Sequence, residues 1–197
     1  MAALPIRRSV TSLAGTAKAQ AVTLGAPLGI SWIVLGVNTL VGGALNSFGV
    51  VPRTESGLWG ILFAPFLHGS FAHLAANSIS LLILGWLVLA FAGRRRFYWV
   101  SAWAALGSGL CAWTLGAPGS VHIGASGVIF GYLGYLMLSG WYARRVVPIL
   151  VSLGVTIMWG GAVFGVLPGQ VGISWQSHLG GFIGGVLAAR WLHKRER

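Results

Sequence analysis

The chain has 197 residues, of which 56% are hydrophobic and 8% charged, with a formal net charge of +11 and a mean hydropathy of +0.81. Soluble domains carry roughly 25% charged residues, so this composition excludes an ordinary soluble fold and points to apolar segments that cross a bilayer as helices. No Asp is present and the only acids are Glu55 and Glu196, which disfavours aspartyl intramembrane proteolysis and ion-coupled transport.

Barrel strands would alternate apolar and polar residues, and these runs do not. The apolar runs predict six helices, over residues 24–47, 70–92, 97–117, 125–142, 147–167 and 174–192. Residues 1–22 read as a short basic tail, 23–193 as one transmembrane domain, and 194–197 as a second tail. The loop of residues 48–69 reads as short. Arg7, Arg8 and Lys18 precede the first span; Arg94, Arg95 and Arg96 follow the second; Arg144 and Arg145 follow the fourth; Arg190, Lys194, Arg195 and Arg197 end the sixth. With six spans, the positive-inside rule puts all of these, and both termini, on the cytoplasmic side. Only Arg53 falls outside that pattern. The positive charge therefore reads as orientation rather than nucleic-acid binding, and the ten Trp residues as interfacial anchors.

Polar residues inside the spans carry the functional signal, because they are costly in lipid. His73 and Asn77 lie in the second span, Ser126 opens the fourth, and His178 lies near the start of the sixth. Counted up from Arg94, Arg144 and Lys194, residues Asn77, Ser126 and His178 stand about 26, 27 and 24 Å above the cytoplasmic line, at 1.5 Å per residue. Three spans thus bring polar groups to one level in the outer half of the membrane. His73 and Asn77 share a helix face. His178, Gly181 and Gly185 form one small-residue stripe, and Gly127, Gly131 and Gly134 another. Such faces let helices approach closely, as a Ser126–His178 hydrogen bond requires.

A serine hydroxyl becomes a useful nucleophile when a base takes its proton, and His178 is the candidate base. No acid is available to orient it, so the pair would be a dyad, with packing and a backbone carbonyl holding the imidazole. The Asn77 amide, His73 and the Ser126 backbone N–H are candidate donors to the oxyanion. His68 reads as structural, His122 as a solvated loop residue, and His193 as part of the basic flank. No HExxH motif is present. The single Cys111 excludes an intrachain disulfide or a thiolate metal cluster. The expectation is a protein without metal or other cofactor.

These motifs resemble one family, the rhomboid intramembrane serine proteases. HGSFAHLAANSISLLILG, from His68 to Gly85, is similar to the family's second span. GASG, from Gly124 to Gly127, is similar to its nucleophile motif, and SHLGGFIGG to its last span. The resemblance implies a six-helix, all-α membrane bundle that hydrolyses peptide bonds in or beside transmembrane helices of other proteins. It implies Ser126 as nucleophile, His178 as base, and His73 and Asn77 around the oxyanion. His68, Gly124, Gly127, Phe130 and Gly181 would support them. The sequence departs from the family twice: Phe130 replaces a frequent Tyr, and Gly60 follows Trp59 where Arg is frequent. The first keeps a ring to stack on the imidazole; the second puts an arginine-organised external loop in question.

The expected location is a bacterial plasma membrane, with the lipid bilayer and the transmembrane segments of substrates as partners. Span five and the loop of residues 167–174 would gate lateral access. Two rival readings are a non-catalytic scaffold that binds transmembrane helices and a small transporter or channel.

Overall fold

The structure, a computed structural model, describes residues 6–170 and 172–194. The described residues form seven α-helices: α1 (Ile6–Leu40), α2 (Glu55–Phe63), α3 (Phe71–Ala92), α4 (Arg94–Leu115), α5 (Ser126–Ala143), α6 (Val146–Trp159) and α7 (Trp175–Lys194). Three 3-10 segments, Ala44–Phe48, Ala64–Phe66 and Gly160–Val166, join or extend them. The only extended pairing among the described residues is an antiparallel bridge between Val50 and His122. The fold is a helical bundle, as expected of a membrane protein built from apolar runs.

Three segments are long and apolar enough to cross a membrane: Ala17–Leu40, Phe71–Ala92 and Val146–Val166. The other long helices, α4, α5 and α7, dilute their hydropathy with Gly, Ser, His and Trp. They also form the centre of the bundle. α7 packs against both α4 and α5, and α5 packs on α6 and α3. Much of the contact is backbone on backbone. A methyl group added at Gly181 would collide with the Gly127 carbonyl, and one at Gly185 with the Gly131 carbonyl. On the other face of α7, Gly180 meets Gly107, and Gly184 meets the Trp103 carbonyl. Around this spine, Leu84, Val88, Val100, Leu133, Leu136 and Ala188 make a core that is at most 2% exposed.

Most helix limits fall within three residues of the expected spans, but the first does not. α1 starts at Ile6 and stops at Leu40, whereas residues 24–47 were expected. Nothing in residues 6–23 breaks a helix, so polarity alone misplaced its start. Its end is set by Gly42 and Gly43, both at positive φ (66° and 86°), where glycine is the favoured residue. Asn38 then reaches across the turn, accepting from the Leu45 N–H at 2.9 Å and donating to Asn46 at 3.1 Å.

The loop of residues 48–69 is also more built than expected. It contains α2, capped by the Thr54 hydroxyl, which accepts from the Gly57 N–H at 3.0 Å. Here Arg53 finds its place. Its guanidinium donates to the carbonyls of Thr114 and Gly116, each at 2.9 Å. The Trp113 indole returns a bond to the Thr54 carbonyl at 2.8 Å. A cation on the last carbonyls of α4 is favourable both for hydrogen bonding and for the helix dipole. An arginine therefore does organise this loop, from position 53. Position 60 could not hold one, because any side chain there would run into the Gly49 carbonyl.

Candidate active site

α5 begins at Ser126, directly after a backbone that only glycine suits. Gly124 has φ 113°, and a methyl there would lie 2.9 Å from the His73 ring. This turn aims the start of α5 at α7. The Ser126 Oγ lies 2.9 Å from His178 Nε2. The other ring nitrogen, Nδ1, lies 3.0 Å from the Gly165 carbonyl oxygen. A carbonyl can only accept, so Nδ1 carries the proton and Nε2 is left to accept from the Ser126 hydroxyl. The Phe130 ring stacks on the imidazole at 4.0 Å and 12°. Gly165 belongs to the 3-10 segment that continues α6, so α5, α6 and α7 all contribute to the pair.

His68 and α3 form the opposite side. His68 is 1% exposed, and its Nε2 accepts from Asn77 Nδ2 at 3.0 Å and from the Ala125 N–H at 3.3 Å. It thereby ties Asn77 to the residue before Ser126. Burial, and secondarily the neighbouring His73, lower its pKa to about 4, which keeps Nε2 an acceptor. His73 meets His68 edge to face at 4.9 Å. His73, Asn77, Ser126 and His178 all line one open cavity of about 690 Å³, whose rim includes His122 and Ser174. The four residues singled out by depth and face therefore share one space.

His122 corrects the expectation of a solvated loop residue. It is 8% exposed, paired by its backbone with Val50, and bonded through Nδ1 to the Ser174 hydroxyl at 2.6 Å. Burial lowers its pKa, which favours the neutral ring. Its loop is rich in Gly, Ala and Pro, which gives no sign of burial, and only the fold covers it with residues 48–69 and α7. A backbone carbonyl on the imidazole was expected, but not which one: Gly165 could not be named because a carbonyl acceptor leaves no signature in side-chain identity. Among the described residues, no three His, Cys, Asp or Glu side chains gather as a metal site.

Comparison with known proteins shows the family. The rhomboid domain matches residues 55–195. An uncharacterized protein of Mycobacterium tuberculosis is 43% identical over 169 residues, 82% of this chain and 70% of the relative. An uncharacterized protein of Mycobacterium leprae is 40% identical over 184 residues, 89% of this chain and 72% of the relative. The RHOMBOID-like protein 5 of Arabidopsis thaliana is 28% identical over 150 residues, 72% of this chain and 47% of that protein. With the family's domain covering most of its length, the chain belongs to the rhomboid family.

Proposed function

We propose that this protein is an intramembrane serine endopeptidase that cuts peptide bonds in or near the transmembrane helices of other membrane proteins. One observation carries the reading: the continuous chain from the Ser126 hydroxyl through His178 to the Gly165 carbonyl, with bonds of 2.9 and 3.0 Å. Ser126 Oγ attacks the scissile carbonyl carbon while its proton passes to His178 Nε2. The tetrahedral oxyanion is met by the Ser126 N–H, the Asn77 amide and His73. Collapse breaks the C–N bond, and the leaving amine takes the proton from His178. Water then attacks the Ser126 ester, gives its proton to His178, and the carboxylic acid product leaves as Ser126 regains its hydrogen. The imidazolium formed in each half is stabilised by the Gly165 carbonyl and the face of Phe130.

The same reading places six spans in the membrane: α1, α3, α4, α5, α6 with its 3-10 extension, and α7. α2 is excluded because its 9 residues reach only about 14 Å. The arginine clusters support a cytoplasmic side for the basic segments that flank residues 23–193, read as a single protease domain in a bacterial plasma membrane. The substrate helix reaches the cavity past α6 and the loop of residues 167–174. A crosslink between α6 and α3 that left cleavage unchanged would remove this gate. The central test is cleavage of a single-pass substrate in liposomes by wild type, Ser126→Ala and His178→Ala, with fluorophosphonate labelling alongside. Cleavage and labelling by wild type alone support the protease. An inert, unlabelled wild type that still retains transmembrane partners supports the scaffold.

A further inference from the structure

We propose that His122 is a positioning residue for Ser126 and His178, acting through a second hydrogen bond between the same two chain segments; this rests on the protease reading above. His122 stands four residues before Ser126, and Ser174 stands four residues before His178. The His122–Ser174 and Ser126–His178 bonds therefore span the same separation of 52 residues. They are two rungs of one ladder between the loop entering α5 and the start of α7.

Both ends of the upper rung are anchored. His122 exchanges two backbone bonds with Val50, at 2.9 and 3.0 Å, and its Nε2 lies 3.0 Å from the Ser120 hydroxyl. Ser174 holds the first turn of α7. Its Oγ accepts from the Ser177 N–H at 3.3 Å and donates to the Ser177 hydroxyl at 2.7 Å. Its carbonyl accepts from the His178 N–H at 3.1 Å. The 2.6 Å bond joins His122 Nδ1 to the Ser174 hydroxyl, and the Ser120 hydroxyl beside Nε2 donates to the Ala117 carbonyl at 2.6 Å.

The rung is needed because of how α5 and α7 meet. Gly127 and Gly131 face Gly181 and Gly185 backbone to backbone, which brings the helices close with no side chains interlocking along that stripe; a flanking side-chain contact is the Phe130 ring stacked on His178. A slip of one residue is about 1.5 Å along the axis, enough to break a 2.9 Å hydroxyl–imidazole bond. Misplacing a reacting group by about 1 Å can cost about 10²-fold in rate. The His122–Ser174 bond opposes that slip directly above the pair.

The test compares His122→Ala, His122→Asn and Ser174→Ala, purified and shown to be folded. It reads three things: kcat and KM on a transmembrane substrate, the rate of fluorophosphonate labelling at Ser126, and the ¹⁵N chemical shifts of the His178 imidazole. His122→Ala is expected to lower kcat and labelling about tenfold with KM within about twofold, as for a group acting only on the reacting geometry. The His178 Nε2 resonance should move away from that of a hydrogen-bond acceptor. His122→Asn, whose amide can donate or accept in place of Nδ1, should recover most of the loss. Adding His122→Ala to Ser174→Ala should cost nothing more. Unchanged kcat and an unchanged His178 spectrum in folded His122→Ala overturn the proposal. So does a loss that Asn fails to rescue and that adds to Ser174→Ala. If His122→Ala does not fold, Ser174→Ala alone with the same three readouts decides. If wild type neither cuts nor labels, the protease reading fails. The His178 spectrum then still decides whether His122 sets the pair: unmoved overturns it, moved supports it.

Discussion

The contact of α5 with α7 and the contact of α5 with α6 are built in opposite ways. α7 lies glycine to glycine on α5, and nothing larger than hydrogen fits between Gly181 and the Gly127 carbonyl. α6 buries only Ser152 and Val155, while Ile157, Met158 and Phe164 are 75%, 73% and 68% exposed. Its firm attachment is near its start, where Ser152 Oγ donates to the Leu136 carbonyl at 2.6 Å and accepts from the Gly140 N–H at 2.9 Å. Towards its far end, the Gly165 carbonyl on His178 is a tie to the candidate dyad. The contrast separates two tasks. The close pair holds Ser126 against His178, and α6 with its extension buries little while its far end touches the base through the Gly165 carbonyl.

The largest test of this comparison removes the chemistry of the close pair. Ser126→Ala and His178→Ala should each lower cleavage by at least about 10³-fold, with the fold retained by thermal melting. Equal activity in either variant would leave the pair as packing.

Gly165→Ala probes the tie between the two regions. Its methyl group would lie 2.9 Å from Phe130 and 3.3 Å from His178 Nδ1, so the stacked ring must shift. A drop in kcat of about tenfold is expected from this small displacement, with little change in melting temperature. A variant as fast as wild type would detach α6 from the base.

A matched pair of glycines sharpens the contrast in packing. Gly181→Ala forces α7 off the Gly127 carbonyl and should destabilise the protein by about 1–3 kcal/mol. Gly154, on α6, has nothing within 4 Å of an added methyl group, so Gly154→Ala should be neutral or stabilising by up to about 1 kcal/mol through helix propensity. Similar melting shifts for both would contradict the two modes of packing.

The smallest effect concerns pH. His68 has its pKa lowered from 6.5 to about 4. Between those values the unfolded chain binds a proton that the folded chain does not, so stability falls as pH drops through that window. Melting midpoints should decline on acidification, and less steeply in His68→Gln, whose amide oxygen can accept in place of Nε2 without titrating there. Identical slopes would show that His68 does not set the acid limit.

Residue type and spacing made much of this legible. Apolar runs 18 or more residues long can be read as helices, and a polar residue within one is conspicuous because lipid offers it no partner. Ser126, His178, His73 and Asn77 stood out for that reason, and the glycine stripes marked which faces could touch. His122 did not stand out, because it lies in a Gly- and Pro-rich connection between spans, where a polar residue can be solvated and carries no such contrast. The start of α1 was missed because charge was read as the end of a helix. Its C-terminal limit was missed because residues 41–45 carry no polar side chain yet turn at two positive-φ glycines.

Hydropathy, periodicity and motif spacing act locally along the chain, so the sequence alone determined the helical class, the approximate segments, the family resemblance and the four residues that face one cavity. Tertiary structure decided what local patterns cannot encode: Arg53 on the end of α4, Gly165 in place of an orienting acid, and His122 joined to Ser174. These depend on backbone groups and on residues up to 63 positions apart. Such groups acquire partners only when packing removes water and leaves each buried donor and acceptor in need of another.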